Sequence, residues 1–269
     1  MSLPSDTAAP LRQVSPRFAT LRAVGALILR EVNTTYGRSP GGYVWAVLEP
    51  AAGIALLTLV FSIGFRTPPL GDSFALFYAA GILPLMMYAD LAAKLGQTVQ
   101  FSRALLAYPR VTYLDALLAR LVLSLLTQVT VHAIILGFII LYLEPNTVFD
   151  LREIGLAYLV IAALGIGIGT LNSFLTLAYP IWATAWAVVN RPLYIISCVF
   201  FLFEAIPQPF ADYLWFNPLV HTAGLMRDGF YPFYHPTYVS VFYPLAIAAI
   251  TSVAGLLLLN RYHRDILDQ

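Results

Sequence analysis

The chain has 269 residues, of which 59% are apolar and only 11% charged, and its mean hydropathy is +0.77. A soluble domain carries about 25% charged residues, so a surface this poor in charge excludes a water-soluble enzyme. The net charge is +1, and the single cysteine, Cys198, allows neither an internal disulfide nor a cysteine-rich metal site.

Residues 1–16 form a flexible N-terminus with Pro and Ser and no apolar signal-peptide core, which predicts that the N-terminus stays cytoplasmic. An amphipathic helix follows over 17–32: Phe18, Leu21, Leu27, Ile28 and Val32 make an apolar stripe, and Arg22 and Arg30 project elsewhere. That pattern suits a helix lying in the membrane interface; a helix packed on the ends of the spans is the plainer alternative.

Crossing the hydrocarbon core takes about 20 apolar residues. Six stretches qualify, at about 43–65, 74–95, 114–143, 154–177, 181–203 and 238–259. Pro68-Pro69, Pro109-Arg110, Pro145-Asn146 and Pro180 punctuate them. The third is longer than a bilayer needs, and its start, with Asp115 and Arg120, projects below the membrane. With the N-terminus inside, twelve of the fifteen Lys and Arg residues fall on the cytoplasmic side, and only Arg66, Arg152 and Arg227 on the other. Basic residues are retained on the cytoplasmic side, so both termini are expected there. Between the last two spans, residues 204–237 are too long for a bare loop and rich in aromatics such as Phe210, Tyr213, Trp215, Phe216 and Phe230. Aromatics prefer the headgroup region, and the segment reads as two short re-entrant external helices broken at Asn217-Pro218. The predicted fold is all-α integral membrane, a single transmembrane domain over 17–269 with six transmembrane helices.

A P-loop needs a lysine among glycines to hold phosphate, and the only lysine, Lys94, lies in Ala-Ala-Lys-Leu-Gly. ATP-driven work would therefore come from another polypeptide. Gly165-Ile-Gly167-Ile-Gly169 imitates part of a dinucleotide fingerprint, but in mid-span such spacing serves close helix packing. His132, His221, His235 and His263 are scattered, with no second ligand at helical spacing, so no metal site is expected. Charges inside spans say more, because each costs roughly 2.5–3.5 kcal/mol near a helix centre. They are Glu49 beside Pro50, Asp90, and Arg191 between Asn190 and Pro192. Arg191 has two readings: an ion pair with Glu49 or Asp90, or a cavity-lining cation for an acidic substrate. Pro50 and Pro192 remove backbone hydrogen bonds and predict a kink or break in each helix. Tyr43, Trp45, Trp182, Trp186 and Tyr194 gather in the cytoplasmic half of the first and fifth spans. Sugar rings stack their C–H faces on aromatic rings, so such a group can line a conduit for a polyglycan; an interfacial belt is the alternative.

Leu29-Arg30-Glu31, Tyr36-Gly37, Ser39, Gly41-Gly42-Tyr43, Trp45-Ala46 and Glu49-Pro50 stand in an order that resembles the opening motif of the membrane subunits of type-2 ABC exporters. The branch resembled is that of the capsular polysaccharide export permeases, whose relatives export O-antigen and teichoic acid. Asn190-Arg191-Pro192-Leu193 with Phe200-Phe201 is similar to that branch's fifth span. Asn217-Pro218-Leu219-Val220-His221, with Arg227 and Gly229-Phe230, is similar to its external re-entrant segment. The similarity runs from about Pro16 to the end of the chain, with departures at Thr34-Thr35 and Gly224.

The resemblance implies a permease subunit that moves a lipid-linked acidic capsular polysaccharide across the bacterial inner membrane. It implies no catalytic residue and no cofactor in this chain, ATP and Mg being bound by a partner ATPase. The implied partners are a second copy of the chain, two ATPase subunits, and a periplasmic adaptor with an outer-membrane exporter; nucleic acid is not among them. On this resemblance Arg38, Tyr43, Trp45, Glu49, Asp90, Trp182, Trp186, Arg191 and Tyr194 line the substrate channel. Arg30 and Glu31, with Gln100, Arg103, Tyr108 and Arg110 of a coupling loop at 97–113, contact the ATPase; the loop reads as a short helix from Val99 to Tyr108 ended by Pro109. Asn217, Pro218, His221 and Arg227 belong to the external re-entrant gate. Export of O-antigen or teichoic acid is the near alternative. A glycan or lipid transferase using Glu49, Asp90 and Arg191 is a more distant one, and an ion-coupled transporter lacks the internal repeat it often shows.

Overall fold

The computed structural model describes residues 19–35, 41–103, 112–144 and 148–267. Among them there is no strand. The helices are α1 (Ala19–Thr35), α2 (Gly42–Gly64), α3 (Phe74–Gly96), α4 (Thr98–Phe101) and α5 (Tyr113–Phe138, continued by a π-helical turn, Ile139–Leu143). They continue as α6 (Leu151–Ala178), α7 (Trp182–Asn190), α8 (Leu193–Ile196), α9 (Phe210–Trp215), α10 (Pro218–Phe230) and α11 (Phe242–Leu267). Among the described residues, five helices are long and apolar enough to cross a membrane: α2, α3, α5 with its π turn, α6 and α11.

These coincide with five of the six predicted stretches, and the remaining one needs correcting. The stretch at 181–203 is not one helix: α7 ends at Asn190, α8 covers only Leu193–Ile196, and Cys198 then takes a left-handed φ of 59°. Pro192 breaks the chain here as the sequence suggested. Pro50 does not interrupt α2, and Pro84 does not interrupt α3. The difference lies in packing. Pro84 sits in a stretch of α3 that is buried continuously from Ala75 to Leu85, and Pro50 is itself buried, whereas α7 and α8 have no buried residue to hold them in line. The last span also begins later than predicted, at Phe242. Tyr238 is held outside the helix by its carbonyl, which accepts from Trp215 Nε1 at 3.0 Å, and Ser240 caps the helix by accepting from Tyr243 N at 3.3 Å.

Side chains set the other helix starts. Ser73 caps α3, Thr112 and Asp115 form a capping box on α5, and Asp150 caps α6. Asn217 caps α10, with Pro218 in the first turn, where its missing N–H costs nothing.

The centre of the bundle is α3, packed against α2, α5, α6 and α10, while α6 also packs along α11. The glycine run on α6 makes these approaches possible. A Cβ at Gly165 would come within 2.8 Å of Leu91 Cβ, and one at Gly169 within 2.7 Å of Leu95 Cβ. On the opposite side Gly255 of α11 lies so close that a Cβ would meet Leu171 N at 2.6 Å. Small residues in apolar helices gain their value from such close van der Waals contact. By contrast, only 11% of the most apolar window of α2 is buried, against 78% for α3, so α2 is a peripheral helix with an open apolar face. The predicted interface helix is described from Ala19 onward as α1, and it packs on α5.

Candidate substrate conduit

Two adjoining cavities lie where α7 and α8 depart from the bundle. The larger, about 520 Å³, is lined by Trp45 and Glu49 of α2, Asp90 and Lys94 of α3, Gln128 of α5 and Tyr194 of α8. The smaller, about 260 Å³, is lined by Gln97, Asn172 of α6, Trp186 and Asn190 of α7, Arg191 and again Tyr194. Tyr194 stands between the two. An apolar groove of about 600 Å³, between α2 and α5, shares Ala46, Thr127 and Val131 with the larger cavity.

The structure thus brings together Trp45, Glu49, Asp90, Trp186, Arg191 and Tyr194 of the predicted channel residues. Trp182 stands behind them: its ring stacks on Trp186 at 6.4 Å, and its Nε1 donates to Asn172 Oδ1 at 2.9 Å. Arg38 lies outside the described residues, as does the side chain of Tyr43. The ion-pair reading of Arg191 is not realised. Asp90 pairs with Lys94 at 3.0 Å, one turn along α3, and accepts the hydroxyl of Ser124. Arg191 is exposed, with no ion pair among the described residues. The charges are accordingly divided: two carboxylates and one ammonium in the larger cavity, one guanidinium in the smaller. Sequence reasoning missed Lys94 and Asn172 as lining groups. A lone amide inside a span is the signal that marks Asn172.

At the other end, the residues assigned to the external gate form one connected structure. Asn217 caps α10 through its Oδ1, and its Nδ2 donates to the carbonyl of Ile196 at 2.9 Å and to Ser197 Oγ at 3.1 Å. His221 is fully buried. Its Nδ1 accepts from Ser240 N–H at 3.2 Å, so the proton sits on Nε2 and is donated to the Trp215 carbonyl at 2.9 Å. Burial holds the His221 pKa below its ordinary value, against the backbone of Trp215 and Tyr238, whose hydrogen bonds act to raise it. Arg227 is likewise fully buried and donates to the carbonyls of Val199 and Phe201 at 2.9 and 3.1 Å, with its guanidinium 4.3 Å above the Phe77 ring. These contacts fasten α10 to the irregular chain that follows α8.

On the predicted coupling side, Arg120 is the organising residue, although its position suggested only a projecting helix start. It pairs with Glu31 of α1 at 3.0 Å, donates to the Lys94 carbonyl at the end of α3 at 2.9 Å, and lies 4.2 Å above the ring of Phe101 in α4. Arg30 lies over the same ring at 5.5 Å. Gln100 and Arg103 are exposed beside them, whereas Tyr108 and Arg110 lie outside the described residues, as does most of the predicted Val99–Tyr108 helix beyond α4.

No protein-family model matches the chain. Curated relatives match it over most of its length. It is 30% identical to the polysialic acid transport protein KpsM of Escherichia coli, over 87% of this chain and 91% of that protein. It is 25% identical to the capsule polysaccharide export inner-membrane protein CtrC of Neisseria meningitidis, over 92% and 94%, and 22% identical to BexB of Haemophilus influenzae, over the same shares. The chain belongs to the family of capsule polysaccharide export inner-membrane proteins. Members of this family are the permeases of type-2 ABC exporters, and the resemblance read from the opening motif, the Asn190-Arg191-Pro192 break and the Asn217-Pro218 turn is a family relationship.

Proposed function

We propose that the chain is the membrane-spanning permease subunit of an ATP-driven exporter that moves a lipid-linked acidic capsular polysaccharide across the bacterial inner membrane. The observation that carries this reading is the convergence of Trp45, Trp186, Tyr194 and Arg191 on two cavities with one shared wall, on a chain of this family. Aromatic faces let a sugar chain slide, and the divided charges give it an oriented path. Two copies of the chain face each other, with the open apolar side of α2 available to contribute to the conduit wall. Two ATPase subunits bind ATP and Mg and act on α1 and the loop at 97–113. A periplasmic adaptor and an outer-membrane exporter continue the route.

In this arrangement both termini are cytoplasmic, and the broken α7–α8 segment serves as a sixth, discontinuous span. Interrupted backbone at membrane depth is tolerated where it lines a cavity, which is where Arg191 and Tyr194 stand. α9 and α10 form the external re-entrant pair, and α1 lies along the inner interface. The test is to replace Arg38 and Arg191 together by Ala and to measure surface and intracellular polymer in parallel. Surface polymer should fall while intracellular polymer accumulates and an ATPase still co-purifies. Surface polymer at the wild-type level would overturn the path.

A further inference from the structure

The smaller cavity has a property that a passive wall does not need. Three polar atoms on its lining residues, Asn172 Nδ2, Trp186 Nε1 and Asn190 Oδ1, are buried without a hydrogen-bond partner. Native proteins pair nearly all such groups, so three unpaired atoms around one cavity point to a ligand that supplies the missing partners. Asn172 is only 4% exposed, and Trp182 fixes the sense of its amide by donating to Oδ1, which leaves Nδ2 as the donor to be satisfied. Arg191 adds the only charge among the lining residues, and it is positive. The nearby carboxylate of Asp90 is already held by Lys94. Donors therefore outnumber acceptors, and the site takes an anion bearing hydroxyl groups. Trp186, backed by the stacked ring of Trp182, gives it an aromatic wall. The volume of about 260 Å³ equals roughly nine waters at about 30 Å³ each, room for one ring rather than a length of chain.

We propose that this cavity is a subsite for a single acidic sugar unit. The carboxylate pairs with Arg191, the ring lies against Trp186, and hydroxyls bond to Asn172 and Asn190. The proposal rests on the permease reading and sharpens it: the conduit has one place that holds a sugar, rather than a uniformly slippery wall.

The test uses the purified full-length chain in detergent and three probes, glucuronate, glucose and inorganic phosphate, followed by ligand-observed NMR. Glucuronate should bind at least tenfold more tightly than glucose, and phosphate should displace it poorly. Arg191→Gln should bring glucuronate down to the affinity of glucose. Trp186→Phe, which keeps a ring and removes the N–H, should weaken both sugars a few-fold. Arg191 is exposed, so its variants are expected to fold; Arg191→Met, checked by gel filtration and circular dichroism, serves as a second variant. Equal binding of glucuronate and glucose, or an Arg191→Gln affinity unchanged from wild type, would overturn the subsite. Phosphate competing as well as glucuronate itself would also overturn it, because the site would then recognise charge and not a sugar. If the chain restores surface polymer to a deletion strain yet binds no glucuronate, the subsite fails and the permease reading stands. If it binds glucuronate but restores no polymer, the permease reading fails.

Discussion

Arg120 and Arg227 each hold a guanidinium over an aromatic ring, 4.2 Å above Phe101 and 4.3 Å above Phe77, but their remaining partners differ in kind. Arg120 is neutralised by a carboxylate, Glu31, carried on a separate helix, and it gathers α1, α3, α4 and α5 at one point. Arg227 is partnered by two backbone carbonyls of a single irregular stretch, Val199 and Phe201. A pair of opposite charges between two elements can be parted if both charges find other partners. A cation held by carbonyls in a dry site has no such alternative, because desolvation of the charge is already the dominant cost. The Arg120 junction is thus built from parts that can separate, and the Arg227 junction from parts that cannot, which suits the proposed coupling face at one end and a fixed frame at the other.

The largest effect is expected at the fixed end. Arg227→Met keeps much of the bulk but withdraws the donors to two carbonyls; an unsatisfied buried group costs about 1–3 kcal/mol, so the loss should reach several kcal/mol. The outcome to measure is the melting temperature in detergent together with protease cleavage within 204–237, which should become rapid. Arg227→Lys restores charge without the two-pronged geometry and should recover only part of the loss. Full recovery with Lys would mean that charge alone matters, and the contrast with Arg120 would disappear.

At the Arg120 junction the expected loss is smaller. Glu31→Gln keeps the size and an acceptor while removing the countercharge, so Arg120 retains its carbonyl and its ring. Removing one partner of a fully buried pair costs about 3–5 kcal/mol; the side chains here are 9% and 15% exposed, and the retained hydrogen bond should hold the loss to about 1–2 kcal/mol in thermal melts. The exchanged pair, Glu31→Arg with Arg120→Glu, should recover part of that loss. If the exchange recovers nothing, the junction depends on the ring and carbonyl contacts, and the two ends of the molecule are built alike.

How much of this was legible depends on the range of the interaction. The five continuous spans follow from runs of apolar residues, and the packing role of Gly165, Gly167 and Gly169 follows from small residues in mid-span. The break at Pro192 was legible and the continuity at Pro50 was not, because a proline's effect is decided by what packs around it. The break between two short helices at Asn217-Pro218 was legible, whereas the capping by Asn217 is seen only in the structure. The proposed channel residues Trp45, Glu49, Asp90, Trp186, Arg191 and Tyr194 could be selected as polar or aromatic groups in apolar surroundings. Their grouping into two cavities sharing Tyr194 requires the fold. Asp90 with Lys94 is an i, i+4 pair on one helix face, but Arg120 with Glu31 and Asp90 with Ser124 are pairings no local pattern predicts. The loss of Tyr238 from the last span has the same cause: its carbonyl is taken by Trp215, a residue far back in the chain.

The smallest effect concerns pH at the α9–α10 end, where burial holds the His221 pKa below its ordinary value. Its ring is closed in by Trp215, Tyr238 and Tyr243 and bonded at both nitrogens. A depressed histidine pKa means that, as pH falls below the ordinary value of about 6.5, the opened segment takes up the proton before the folded one does. Stability of α9 and α10 is therefore complete above that pH and declines as pH drops towards the lowered folded value, with a slope of at most about 1.4 kcal/mol per pH unit. The test is a difference between wild type and a variant. His221→Gln, which cannot gain a charge, should melt lower than wild type at pH 8 yet lose less stability between pH 7 and pH 5. Parallel acid limbs in the two proteins would mean that His221 does not carry the pH response. His221 would then be a spacer filling an aromatic cage.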